Sequence, residues 1–364
     1  MANAIKCPCQ YIQGSGELKN LGKYVKKMGT KFLILLSANS KKRFGDTLTA
    51  SLDEFELQYV FEECGPQCSL AEIERVTAVG KEAGCDAVIT LGGGKVIDTG
   101  KAVATYLNAV SVIVPTIASN DSPCSGLSVV YNEEGVVVKV IYSKHNPDLV
   151  LVDTGIIAQA PVRYFVAGIG DALATYYEAR ACKASGARNM CRANATNTAM
   201  AMAKLCNDLL LTYGLDAKKA VEAKEPNEAL ENVLEASILL SGVGFESGGL
   251  AAAHAINDGF AYVEQAHGAM HGEKVAFGLL AQLVLEKVSD EEFDRILDFS
   301  IAMGLPVCFA DLGITDVKEA ELRKVAEAAC VKTQSTKNLP FEVTEEDVYQ
   351  ALLMADKRGT ARKL

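Results

Sequence analysis

Three of the chain's four histidines, His254, His267 and His271, fall within one short stretch, and the fourth, His145, stands apart. His254 sits in Gly249-Leu-Ala-Ala-Ala-His-Ala-Ile-Asn-Asp258, and the other two in His267-Gly-Ala-Met-His-Gly-Glu-Lys274. Well before them, Asp171 lies in Ala167-Gly-Ile-Gly-Asp-Ala-Leu-Ala174, at an expected helix start. Taken singly, a histidine is most often a satisfied core side chain and such an aspartate most often a helix cap. Taken jointly, with glycines beside them, they point to a metal. Two imidazoles and one carboxylate suit a catalytic Zn²⁺ with its fourth position open. Such an ion is a Lewis acid that would bind an alcohol oxygen and favour the alkoxide, from which hydride leaves more readily. His267 and His271 are four apart and could share one helix face, so spacing leaves open which of them is the ligand.

A second constellation is Leu91-Gly92-Gly93-Gly94-Lys95-Val96-Ile97-Asp98-Thr99-Gly100-Lys101. It follows the apolar run Asp86-Ala-Val-Ile-Thr90 and precedes helix-forming residues from Ala102 to Leu107. A strand, three glycines and a helix start make an anion site, because glycine lets the backbone approach a phosphate and the helix start presents free N–H groups. Lys95 adds charge, and Asp98 can cap the helix or accept hydrogen bonds from a ribose or amide. The spacing is not G-x-G-x-x-G, so the usual dinucleotide fingerprint does not apply. The polar loop from Pro115 to Ser125 leaves the carboxyl end of an expected strand, where ligands of open α/β sheets bind.

These groups need elements to hold them. Residues 1–160 alternate strand and helix. Lys31-Phe-Leu-Ile-Leu-Leu36 reads as a strand covered on both faces, with others at Leu57–Phe61, Asp86–Thr90, Ser111–Val114 and Asp148–Asp153. Ser69-Leu-Ala-Glu72 reads as a capping box. Leu127–Tyr131 and Val136–Tyr142 flank Asn132-Glu-Glu-Gly135 as a hairpin. From Pro161 alanine and leucine dominate, strands vanish, and residues 161–364 read as helical, with helices expected over Arg163–Ala184, Asn189–Tyr213, Ala217–Lys224 and Pro226–Glu246. Thr344 is the expected cap of the last helix. The expected architecture is an N-terminal α/β domain with a parallel, Rossmann-like sheet, followed by an all-α domain.

The chain has 364 residues, 49% hydrophobic and 23% charged, with a net charge of −10 and a pI near 5.1. The acidic balance speaks against nucleic acid or an anionic membrane as partner. There is no apolar run long enough for a membrane span and no signal-peptide pattern, so a cytoplasmic location is expected. The 11 cysteines read as reduced and mostly buried. Cys7-Pro-Cys9 and Cys64-x3-Cys68 lack the two-residue spacing of zinc sites.

The sequence resembles the glycerol dehydrogenases of the iron-containing (group III) alcohol dehydrogenase superfamily, over nearly its whole length. The resemblance rests on Gly92-Gly93-Gly94-Lys95-x-x-Asp98-Thr99, on Pro115-Thr116-Ile117-Ala118-Ser119 with Asp121 and Cys124-Ser125, and on Gly168-Ile-Gly-Asp171-Ala-Leu-Ala-Thr175. It continues through Gly242–His254 and His271-Gly-Glu-Lys-Val-Ala-Phe-Gly278. It implies a dehydroquinate synthase-like architecture and oxidation of glycerol to dihydroxyacetone with NAD. It implies Asp171, His254 and His271 as zinc ligands lying beside the substrate. Gly93, Gly94 and Lys95 would meet the pyrophosphate, and Ser37, Asp98, Thr116, Ser119, Ser125, Leu127 and Tyr131 would line the cofactor site. Asp121 would hydrogen-bond a substrate hydroxyl. His267 has no implied ligand role and is read as a proton relay. A homo-oligomer, an octamer, is also implied.

Two departures bear on these expectations. Iron-binding members carry a histidine four residues after the metal-binding aspartate, and here that position is Thr175, which supports zinc. The family pattern also has an aspartate at the end of the second strand, against the adenosine ribose. Here Ser37 stands there, before Asn39 and Lys41-Lys42-Arg43, so NADP is an alternative to NAD. Other diols (1,2-propanediol, 2,3-butanediol) and amino-alcohols share glycerol's adjacent polar groups. A 3-dehydroquinate synthase-like lyase is the competing chemistry. It would need several cations for phosphate and carboxylate, and the metal motifs are flanked by neutral residues instead.

Overall fold

The computed structural model describes residues 2–132 and 137–364. The chain divides into two compact units. One comprises Lys6–Pro161 with Lys219–Leu239; the other comprises the first residues up to Ile5, Val162–Lys218 and Leu240–Leu364. A single cut near residue 160 therefore leaves two segments on the other side, each for a visible reason. Asn3–Ala4 pairs in parallel with Asn194–Ala195. Glu231 receives hydrogen bonds from Gln13 Nε2 (2.7 Å) and Thr154 Oγ1 (2.6 Å).

The strand-bearing unit is built on a six-stranded sheet in the order Tyr11–Gly14, Leu149–Asp153, Val110–Pro115, Ala87–Gly92, Lys31–Leu36, Gln58–Glu63, with every pairing parallel. The apolar run of Lys31–Leu36 serves both faces. Phe32, Ile34 and Leu36 pack with Leu18, Leu21, Leu48 and Leu52, while Leu33 and Leu35 pack with Ile73, Val76 and Val103. Leu18 and Leu21 come from the short turns Glu17–Asn20 and Leu21–Val25, and helices Ala38–Asp53, Leu70–Ala83 and Gly94–Leu107 supply the other partners. Ser69 caps the second of them by accepting from the Glu72 amide at 3.2 Å. The Glu72 carboxylate turns instead to Gly65 N and Arg75, so the expected capping box is half formed. Tyr11–Gly14 is a strand that the sequence reading lacked; it is short, half-buried and at the sheet edge. Leu127–Tyr131 and Val137–Tyr142 pair antiparallel. Their connection, over the expected hairpin turn, lies outside the described residues.

The other unit is helical apart from its two-residue ladder. Val162–Ser185 forms one long helix. Asn197–Ala223 is continuous where two helices were expected; Gly214 packs within it, and a Cβ there would lie 2.9 Å from the Phe299 ring. Leu240–Leu364 adds helices Ser241–Gly248, Ala252–Gly259, His271–Leu285, Asp290–Met303, Glu319–Cys330 and Glu345–Lys363. Thr344 caps the last, accepting from Asp347 N at 3.2 Å. Among the described residues no single helix is long and apolar enough to cross a membrane.

Candidate metal centre and cofactor site

Asp171 is not at a helix start. It lies in the interior of Val162–Ser185 and is fully buried, so a capping role is excluded. Gly168 and Gly170 lie within the same helix. The helix tolerates them because its neighbours come very close: a Cβ on Gly170 would lie 2.5 Å from the Gly272 carbonyl oxygen, and one on Gly272 1.8 Å from that of Ala167. This approach brings His271, the first residue of His271–Leu285, against Asp171. A Cβ on Gly278 would likewise lie 2.5 Å from the carbonyl oxygen of Ala253, the residue before His254. The glycines flanking the ligands thus let three helices converge.

The result is a compact donor set. One ligand atom from each of Asp171, His254 and His271 lies within 4.8 Å of the others. Nε2 of His254 is 3.3 Å and Nε2 of His271 3.2 Å from Asp171 Oδ1. Two imidazole nitrogens aimed at one buried carboxylate oxygen fit a metal of the zinc or iron type, which takes nitrogen and oxygen donors together. Burial alone would raise the Asp171 carboxyl, but His271 and His254 outweigh it and hold it below the usual carboxylate range. For His254 burial acts downward, and Glu178 and Asp171 outweigh it, raising its pKa well above the ordinary imidazole value.

Glu178 is the residue the sequence reading missed. It is fully buried, and its Oε2 lies 2.5 Å from Nδ1 of His254. Its Oε1 accepts from the amides of Ala251 (2.9 Å) and His254 (3.1 Å), closing the start of the Ala252–Gly259 helix. A signal was present: Glu178 follows Asp171 by two helical turns, which puts both carboxylates on one face. His267 lies outside the cluster. It is exposed, and its Nε2 is 3.0 Å from the Ala261 carbonyl oxygen. Thr175 is buried, with its hydroxyl 2.9 Å from that of Ser241.

In the strand-bearing unit, adjacent strands deliver the cofactor candidates at their carboxyl ends. Ser37 follows Lys31–Leu36, Gly93 and Gly94 follow Ala87–Gly92, and Thr116 follows Val110–Pro115. The strand order reverses between Lys31–Leu36 and Ala87–Gly92, the kind of crevice where nucleotides bind in such sheets. Gly93 occupies the cap position of Gly94–Leu107 and no side chain closes that end, leaving its amides available to an anion. Neither Gly93 nor Gly94 has a positive φ. What they supply is space: a Cβ on Gly93 would meet Ile117 Cδ1 at 2.7 Å, and one on Gly94 would meet Asn120 Nδ2 at 2.5 Å. Lys95 is exposed. Ser119 is half-buried, while Thr116, Asp121, Ser125 and Leu127 are buried in the loop that follows. Tyr131 is half-buried, its amide donating to Cys68 O at 2.8 Å.

Two of these residues also serve the fold. Asp98 does not cap its helix; its carboxylate lies 3.0 Å from Lys101 Nζ and accepts from Val129 N at 3.2 Å. Ser37 is itself a cap, accepting from Ser40 N at 3.2 Å and opening the helix that carries Lys41 and Lys42.

A nucleotide-type sheet and a two-histidine, one-carboxylate centre together define a metal-dependent oxidoreductase of the dehydrogenase kind. The chain belongs to the iron-containing alcohol dehydrogenase family, whose model matches residues 8–154. It is similar to glycerol dehydrogenase of Citrobacter freundii, at 42% identity over 99% of this chain and 98% of that one. It is similar to glycolaldehyde reductase of Halobacterium salinarum, at 40% over 99% and 98%. The solved structure of a probable glycerol dehydrogenase from Sinorhizobium meliloti 1021 superposes with a TM-score of 0.94 at 41% identity, covering 99% of this chain and 100% of that one. For such a family NAD and a metal are the expected companions of the reaction.

Proposed function

We propose that the chain is a zinc-dependent, NAD-linked polyol dehydrogenase that interconverts glycerol and dihydroxyacetone. The observation that carries this reading is the convergence of His254 and His271 on the buried Asp171 carboxylate. The relatives named for glycerol and glycolaldehyde support a small substrate with adjacent oxygens.

Asp171, His254 and His271 would hold the metal, and Glu178 would keep the His254 ring oriented with Nε2 unprotonated toward it. Zinc in such a site supplies a Lewis acid that lowers the pKa of an alcohol hydroxyl, and NAD supplies the hydride acceptor. Asp121 would accept a hydrogen bond from a second substrate hydroxyl. The open amides at Gly93 and Gly94, with Lys95, would hold the diphosphate. Zinc rather than iron is favoured because position 175 carries a threonine, so the set lacks a third imidazole. The Thr175 hydroxyl is tied to Ser241, and its methyl would lie 2.7 Å from a Cβ on Gly244.

The test is NADH formation from glycerol at alkaline pH, before and after chelator, with Zn²⁺ or Fe²⁺ restored. Activity lost to chelator and regained with zinc is expected. Inactivity of the zinc-loaded protein with both NAD and NADP would remove glycerol as the substrate, and recovery with iron alone would overturn the metal assignment. A homo-octamer, read by light scattering, belongs to the same proposal.

A further inference from the structure

Lys101 carries a charge in an unusual place. The residue is 2% exposed, on the inner side of the helix that the glycine loop opens. Its Nζ lies 3.0 Å from Asp98 Oδ1 and donates to the carbonyl oxygens of Ser122 (2.8 Å) and Leu127. The carbonyl and hydroxyl oxygens of Ser125 each lie 3.4 Å away. An ammonium has three N–H donors, and here three near acceptors meet them.

Apart from Asp98, every acceptor belongs to the stretch Ser122–Leu127, which begins one residue after Asp121. Carbonyl dipoles that point at one spot repel each other unless a cation stands there. Convergent carbonyl oxygens are the surroundings that proteins give a bare monovalent ion. Asp98 extends the grip by accepting from the Val129 amide in the following strand. The loop therefore curls around a charge delivered by the preceding helix.

The geometry points to Lys101 as a positioning residue for the dehydrogenase reaction. Its ammonium is a tethered monovalent cation that sets the curl of Ser122–Leu127 and so places Asp121, Ser125 and Leu127. The roles of those three residues rest on the function proposed above; the clamp itself does not.

The test compares the zinc-loaded full chain with Lys101→Ala and Lys101→Met. The readouts are zinc content, NADH affinity, kcat, KM for glycerol, and amide hydrogen exchange across Ser122–Val129. Lys101→Ala should keep its zinc, bind NADH at least tenfold more weakly and lose at least tenfold in kcat. Exchange across the loop should rise. Propylammonium, which matches the deleted atoms, should restore affinity, turnover and protection to Lys101→Ala. It should do little for Lys101→Met, whose side chain fills the channel.

Parent-like affinity, turnover and exchange in a folded Lys101→Ala would overturn the inference, as would losses that no small amine reverses. If Lys101→Ala does not fold, Lys101→Met decides, because it retains the apolar stem. Parent-like behaviour there refutes the clamp, and a tenfold loss with full zinc supports it. Hydrogen exchange needs no ligand. Exchange that rises in Lys101→Ala and falls with propylammonium upholds the clamp even if the parent neither binds NADH nor oxidises a polyol, a result that would sink only the dehydrogenase reading.

Discussion

The carboxylate of Glu178 and the imidazole of His254 form a pair in which each oxygen has a separate task. Oε2 meets Nδ1 at 2.5 Å, and Oε1 takes the amides that open the histidine's own helix. Glu178→Gln keeps the shape but places an N–H donor against Nδ1. The ring must then carry its proton on Nε2, the nitrogen that faces Asp171. Losing such a partner typically costs 10–100-fold in metal affinity, and a drop of about that size is expected in competition with a chelator. Unchanged affinity would show that Glu178 serves only the helix.

Gly94 makes room for Asn120. A Cβ there would lie 2.5 Å from Asn120 Nδ2, whose side-chain oxygen is held by the Ser122 amide and hydroxyl. Gly94→Ala should therefore displace the loop leading to Asp121. Overpacking of this kind costs about 1–3 kcal/mol, and an increase in the KM for NAD of roughly tenfold is expected, since tenfold corresponds to about 1.4 kcal/mol. Adding Asn120→Ser should recover part of it. No change in either variant would mean that the loop adapts freely.

Ser37 caps a helix at the end of Lys31–Leu36. Aspartate caps about as well as serine, so Ser37→Asp should fold normally while placing a carboxylate near the expected adenosine end of the cofactor. Use of NADP should fall at least tenfold relative to NAD. Equal loss with both coenzymes would place the ribose elsewhere.

Burial pushes the Cys64 thiol up to about 11 and the Cys68 thiol up to about 12. Both values lie above the 9.0 of an ordinary thiol, so the stabilising contribution is complete below pH 9.0 and is lost as pH rises toward the folded values. The melting temperature should fall by several degrees above pH 9. Replacing both cysteines with alanine should flatten that slope. A slope unchanged by the replacement would assign the alkaline sensitivity to other groups.

Much of this organisation was legible in the chain, and where it was not, the reasons are particular. Lys31–Leu36 could be read because a strand covered on both faces has no polar side to confuse its pattern. Tyr11–Gly14 was missed because a half-buried edge strand has no such run. Asp171 was placed at a helix start although the expected helix Arg163–Ala184 already ran through it, and only the helix packed against Gly170 shows that glycine to be a contact point. The choice between His267 and His271 turned on which one begins a helix beside Asp171, a fact of packing that a four-residue spacing does not contain. Glu178 and Lys101 looked like ordinary helix charges. Their significance lies in what surrounds them: Glu178 meets Ala251 and His254, and Lys101 meets carbonyls of Ser122–Leu127, all outside their own helices.

The ladder between Asn3–Ala4 and Asn194–Ala195, and the bonds from Gln13 and Thr154 to Glu231, bear on how the protein is made. During synthesis the first strand emerges long before its partner, and the sheet is finished well before Glu231 leaves the ribosome. Neither unit is a contiguous cassette. A nascent chain paused near residue 161 would present Gln13 and Thr154 without their shared acceptor and the Asn3–Ala4 strand without its mate; the strand-bearing unit is complete only once Leu239 has been made, and the helical unit later still, because it draws on Leu240–Leu364.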